Sequence, residues 1–138
     1  MAISIKGILT GGIVAGIILN VSAIPMVPLV GEQMDIALQD RYLPPMSGGA
    51  MAYFGIMSLL LGVFLVWMYA ALRPRLGSGP KTAAIVSVLV WFLTYFWSNA
   101  SMVAFGFLPM SLSVIGTAWG LVELVVAGQV GARLYREK

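Results

Sequence analysis

The feature that most constrains this chain is a set of four apolar runs, each roughly 20 residues long, separated by short stretches that hold nearly all of the charges. A helix of that length crosses the ~30 Å hydrocarbon core of a bilayer at 1.5 Å per residue. In hydrocarbon every backbone N–H and C=O must be bonded inside the protein, which leaves helices or closed barrels. Barrel strands alternate apolar and polar residues over about ten positions, whereas these runs are continuous. Composition points the same way: 60% of the residues are hydrophobic and 9% are charged, against about a quarter charged in a soluble domain. The expected fold is an all-α membrane protein, a four-transmembrane-helix bundle of two helical hairpins forming a single domain over residues 1–138.

The first span runs from about Gly7 to Met26 and stops at Pro25 and Pro28. Lys6 before an apolar stretch, with Val21-Ser22-Ala23 after it, has the form of a secretory leader. Gly12, Gly16 and Asn20 at four-residue spacing make a small and polar stripe that a discarded leader would not need, so the segment is read as a retained helix. Between Val27 and Ser47 the composition shifts: Glu32, Asp35, Asp40 and Arg41 appear, and Met34, Ala37, Leu38 and Tyr42 recur at helical intervals. That pattern predicts a short amphipathic segment on the membrane surface, ended by Pro44-Pro45. The second span covers about Gly48 to Leu72, the third Thr82 to Phe105 and the fourth Ser111 to Ala132. "RPRLGSGPK", Arg73 to Lys81, reads as a turn from its Pro, Gly and Ser content. "YLPPMS" (Tyr42 to Ser47) and "FLPMS" (Phe107 to Ser111) open the second and fourth spans alike, the trace a parallel duplication of hairpins would leave.

Charge sets the expected orientation. Arg73, Arg75 and Lys81 lie in the 2/3 connection and Arg133, Arg136 and Lys138 in the tail, while the 1/2 connection nets minus two and the 3/4 connection is uncharged. The positive side is cytoplasmic, so both termini are expected inside and the amphipathic segment outside. Arg73, Arg75 and Lys81 are then lipid-headgroup contacts, and no nucleic-acid partner is expected despite the net charge of +3. Trp67, Tyr69 and Tyr135 on the inner side, with Tyr42 and Trp97 on the outer, read as interface anchors.

There is no Cys and no His, which removes thiolate nucleophiles, imidazole bases, the commonest haem ligand and most zinc sites. No metal site and no catalytic residue are expected. Glu123 is the one acidic residue inside a span. Its charge at the bilayer centre costs at least ~2.5–3.5 kcal/mol, so it should face protein or water. Gly116, Gly120, Glu123, Ala127 and Gly131 form one stripe of small residues around it. Counting inward from the cytoplasmic ends sets Glu123 level with Gly16, Gly62 and Trp91, with Asn20, Ser58, Thr94 and Tyr95 one turn further out. Glu123, Asn20 and Tyr95 are therefore the candidate intramembrane polar site. It is either a proton or cation site or a neutral carboxyl that holds helices together, and the lack of a partner cation in the spans favours the second.

Gly12, Gly16, Gly116 and Gly120 are candidate helix-packing positions, spaced to let backbones approach. The same Gly-x-x-x-Gly spacing recurs at Gly7 and Gly11. Trp91 and Trp119 lie away from the headgroup zone and are candidate contacts for a flat apolar ligand, a quinone, carotenoid, chlorin or lipid, although mid-bilayer aromatics more often fill gaps between helices.

The stretch "WMYAALRPRLGSGPKTA" (Trp67 to Ala83), with "GTAWGLVE" (Gly116 to Glu123), resembles a family of small four-span bacterial membrane proteins with no assigned activity. The resemblance implies that Arg73, Pro74, Gly79, Pro80, Lys81 and Glu123 belong to the family pattern, and it brings no substrate or cofactor. Small multidrug transporters share the size and span number, but their essential glutamate lies in the first helix, where this chain has none.

The function expected from these features is that of a non-catalytic accessory or scaffolding subunit of a larger bacterial membrane complex, photosynthetic or respiratory, sitting multi-pass in the cytoplasmic membrane. Its partners are then membrane lipids and other transmembrane subunits. The competing expectation is a small homo-oligomeric transporter or channel built on Glu123.

Overall fold

The computed structural model describes residues 3–136. Lys138, one of the tail cations, lies outside them. Six α-helices follow one another: α1 (Ile5–Ala23), α2 (Met26–Asp40), α3 (Gly48–Leu76), α4 (Pro80–Trp91), α5 (Trp97–Ala104) and α6 (Met110–Leu134). A π-helical turn, Phe92–Phe96, joins α4 to α5 without a break. Four helices are therefore long and apolar enough to cross a membrane among the described residues: α1, α3, the continuous Pro80–Ala104 rod and α6. The chain is an all-α, membrane-type bundle with no strand among the described residues.

Each helix start has a local cause. Ser4 caps α1 by accepting from the Gly7 N–H at 3.1 Å, and Ser47 caps α3 by accepting from the Ala50 N–H at 3.1 Å. Pro80 opens α4 at a position where its missing N–H costs nothing. α6 starts after Pro109 with no side-chain cap, so the two similar entry motifs, "YLPPMS" and "FLPMS", fold differently at their caps.

The connection predicted over Arg73 to Lys81 is mostly helix. α3 runs through Arg73, Pro74 and Arg75 to Leu76, and the turn is confined to Gly77–Gly79, with φ +86° at Gly77 and +127° at Gly79. Thr82 closes it by donating to Gly77 O at 2.7 Å. At 29 residues, α3 is about 43 Å long and exceeds the hydrocarbon thickness. Its cationic residues, Arg73 and Arg75, lie in its last turn.

The predicted amphipathic segment is α2, and it begins almost at once after α1, across a bend at Ile24-Pro25. Met26, Val30, Met34 and Ala37 form its inward face, while Glu32, Asp35 and Asp40 are exposed. Tyr42 does not continue that face: the helix has ended at Asp40, and Tyr42 has φ +55° and is 98% exposed. Arg41 pins the end of α2 to the α5–α6 turn, donating to Gly106 O at 3.1 Å and to Ala37 O at 2.9 Å.

Around the core, α1 meets α3 and α6, α4 meets α3 and α6, and α1 and α4 do not touch. Leu65, Val66, Val86, Val90 and Leu124 fill the centre with the alanines Ala15, Ala70, Ala83 and Ala127. Glycine sets the spacing. A Cβ on Gly62 would stand 2.5 Å from Gly12 O and nearer still to the Gly16 backbone, and one on Gly11 would stand 2.5 Å from Gly131 O. The α1–α3 and α1–α6 backbones are thus in direct contact. Tyr69 and Tyr135 are buried, both 5% exposed, with edge-to-face rings 6.1 Å apart. They belong to the core rather than to the lipid interface, because each hydroxyl has a backbone partner: Tyr69 accepts from the Gly79 N–H and Tyr135 from the Ser4 N–H. Trp67 and Trp97 are largely exposed, as interface anchors would be.

Candidate functional site

Glu123 is 8% exposed and lies between three helices. Its carboxyl is bonded to the Ser22 hydroxyl from the end of α1 and to the Tyr95 hydroxyl from the π turn. Asn20, the expected partner, is elsewhere. Its amide donates to Gly16 O at 3.1 Å and to Gly55 O at 3.2 Å, tying α1 to α3.

The exchange of Ser22 for Asn20 follows from register. Counting inward from assumed ends set Gly7 level with Ala132, but α6 continues to Leu134, and a Cβ on Gly7 would meet Tyr135 and Arg136. Gly131 in turn faces Gly11 and Ala15. Glu123 is two turns further out from Gly131, near the level of Leu19, about one turn beyond Gly16. The Cα–Cβ bond then leans toward the helix N-terminus, which in α6 is the α2 end of the bundle, and carries the carboxyl on to Ser22. Tyr95, on a helix running the other way, leans to meet it.

Two neighbours complete the setting. Gly120 gives Tyr95 its place: a Cβ there would overlap the ring. Trp119 donates its indole N–H to Ser22 O at 3.1 Å, fixing the end of α1 against α6. Ser22 carries no signal as a site residue in the sequence, since it becomes one only through helix register, whereas Gly120, expected as a packing position, receives the Tyr95 ring. Gly116, at the other end of the same motif, is in open contact, with Asn99 Nδ2 3.7 Å from where its Cβ would be. Gly12 and Gly16 face Val63 and Leu59 of α3. The small-residue faces at Gly12, Gly16 and Gly120 are filled from within this chain, by Val63, Leu59 and Tyr95.

Trp91 and Trp119 do not share a pocket. Trp91 donates to Thr117 O at 2.8 Å across the α4–α6 side, and Trp119 reaches α1 on the other side of α6. Of the expected headgroup cations, Arg75 and Lys81 are exposed, while the Arg73 guanidinium lies 5.7 Å over the Tyr135 ring.

The hydrogens in the cluster can be counted. Ser22 Oγ is within bonding distance of Glu123 and, at 2.8 Å, of Leu19 O. It has a single hydrogen. A protonated carboxyl satisfies all three groups: Glu123 donates to Ser22 Oγ, Ser22 to Leu19 O, and Tyr95 to the other carboxyl oxygen. No charge and no spare hydrogen remain. A cavity of about 260 Å³ lies under α2, walled by Met26, Val30 and Met34, with Tyr95 and Asn99 also lining it. Among the described residues no group of three or more Asp and Glu side chains comes together.

Fold and site together define a multi-pass α-helical membrane protein with one carboxyl bonded between three helices. Comparison of the chain with protein-family models, with curated proteins and with solved structures finds no match.

Proposed function

We propose that this protein is a non-catalytic accessory or scaffolding subunit of a larger complex in the bacterial cytoplasmic membrane, of the energy-transducing kind, with both termini on the cytoplasmic side. The observation that carries the reading is the closed cluster at Glu123. The one acidic side chain in the spans is used to bond α1, the π turn and α6 to one another, and a neutral carboxyl fits the hydrogens these groups carry. A second support is α3, where no residue from Met51 to Leu60 is buried, although Tyr53, Phe54 and Ile56 each expose more than half of their surface. That half-helix offers partner subunits an aromatic and aliphatic face. The orientation rests on Arg73, Arg75 and Lys81 lying at the same end as the tail.

Purification from the native membrane in mild detergent, with mass spectrometry of the co-migrating proteins, tests the proposal. Migration with other membrane subunits is expected, and a discrete homo-oligomer would overturn it in favour of a transporter. That second reading has its own support: the π turn, a device frequent at functional sites, places Tyr95 both on Glu123 and in the wall of the cavity under α2, a route by which a proton could reach the carboxyl.

A further inference from the structure

A second cavity lies on the other side of the α5–α6 packing, has a volume of about 470 Å³ and opens on the surface of the bundle. Its size falls within the range of small-molecule sites. Along α6 it extends from Met110 to Ala118, eight residues or about 12 Å, so it leads from the α2 end toward the middle of the bilayer. Trp91 and Phe96 supply aromatic wall, and the exposed Ala100 and Ala118 leave the space open. The indole of Trp91 is held in place by its bond to Thr117 O at 2.8 Å, so that wall needs no reordering to receive a ligand.

The polar content of the wall is sparse and specific. Ser113 is 6% exposed and lines the cavity; its hydroxyl makes no hydrogen bond with any described residue, and its oxygen is not sealed in protein. A buried hydroxyl without a partner is costly in an apolar setting. Thr117 accepts from the Asn99 amide at 3.0 Å and keeps its own hydrogen to give. The cavity thus presents aromatic faces, hydroxyl donors and no charge.

We propose that this cavity binds a membrane-soluble ring bearing a carbonyl, of the quinone class, with the ring against Trp91 and Phe96 and the carbonyl oxygen accepting from Ser113. A lipid acyl chain would leave the hydroxyl unmet. A carotenoid is longer than the cleft, and a chlorin's metal calls for an axial imidazole or carboxylate that the wall does not carry. The inference is independent of the subunit reading and holds whichever assembly the chain enters.

The test uses the full chain in phosphatidylcholine vesicles titrated with decylubiquinone, following quenching of tryptophan emission. A saturable component is expected, lost in Trp91→Phe, weakened about fivefold in Ser113→Ala, which removes one hydrogen bond, and abolished in Ala118→Leu, which fills an exposed wall position without touching the core. Quenching that rises linearly without saturation, or that saturates unchanged in Ala118→Leu, overturns the proposal. So does quenching of Trp91 by brominated acyl chains that the quinone fails to displace, which would make the cleft a lipid groove.

Discussion

The Tyr95 ring lies on the bare backbone of Gly120, and from there its hydroxyl reaches Glu123. A side chain on α6 at that point would hold the ring off and leave the carboxyl without one of its two partners. Gly120→Ala should therefore loosen the cluster, whereas Gly116→Ala, four residues away in the same motif, should be near neutral because its Cβ meets only Asn99 at an ordinary 3.7 Å. Thermal unfolding of the two variants in detergent checks the contrast. Equal effects would mean that the Tyr95 seat contributes nothing.

Glu123→Gln should leave the fold almost unchanged, because the amide repeats the bonding pattern: its oxygen accepts from Tyr95 and its nitrogen donates to Ser22. Glu123→Leu strands the Tyr95 hydroxyl, while Ser22 keeps its bond to Leu19 O, and should cost about 1–3 kcal/mol, nearer the low end if the membrane-unfolded chain finds other partners. Unfolding in mixed micelles measures both. A Gln variant that assembles normally but loses a pH-dependent flux would transfer the assignment to the transporter reading, since an amide cannot pass on a proton.

Ser22→Ala and Asn20→Ala separate the observed site from the expected one. The first removes a partner of Glu123, while the second cuts only the tie from α1 to Gly55 O of α3. An infrared band for the Glu123 carboxyl C=O should shift in Ser22→Ala and stay in place in Asn20→Ala. Movement in the second alone would refute the register of α1 against α6.

Gly62→Ala should be the most damaging single methyl in the chain. It forces a carbon to within 2.5 Å of Gly12 O and must push α1 away from α3. For the same reason Gly16→Leu should unfold the first hairpin, rather than merely release an intact protein from a complex. Loss of a disulfide between cysteines engineered at facing α1 and α3 positions reports the separation, and an undiminished yield would contradict the close approach.

Reporter fusions after Lys81 and at Lys138 should read as cytoplasmic, and insertions near Asp35 as external. An external C terminus would reverse the assignment of the positive end and place α2 inside the cell.

How much of this could be read from the residues depends on what each feature needs. The spans require only local hydropathy, so four were legible, with ends misjudged by a few residues where Arg73, Pro74 and Arg75 stay helical beyond the apolar run. Glu123 and Tyr95 were legible because a lone carboxyl among apolar residues must find a polar neighbour. The choice between Asn20 and Ser22 was not, since it turns on how far α6 extends past Ala132 and on Gly7 meeting Tyr135. Glycine spacing announced close approach without naming the partner: Gly62, with no glycine four residues to either side, answers the Gly12 and Gly16 pair. The π turn left no trace, for Phe92-Leu93-Thr94-Tyr95-Phe96 contains neither Gly nor Pro.

That turn also sets a genetic distance. A π turn holds one residue more than the α-helical turn it replaces, so deletion of a single codon between Phe92 and Phe96 restores a regular helix and leaves the residues after it on nearly the same face, because the turn already absorbs the ~100° that the extra residue adds. Tyr95 and Asn99 now face the cavity under α2, and Phe96 and Ala100 the cleft on the other side. One in-frame deletion would leave Asn99 and Ala100 facing their chambers and displace only the wall positions inside the turn, Tyr95 and Phe96, with the hydropathy of the span untouched. Two chambers that share no wall residue thus each take one wall position from the same turn, and three nucleotides that no measure of membrane insertion would register bear on both.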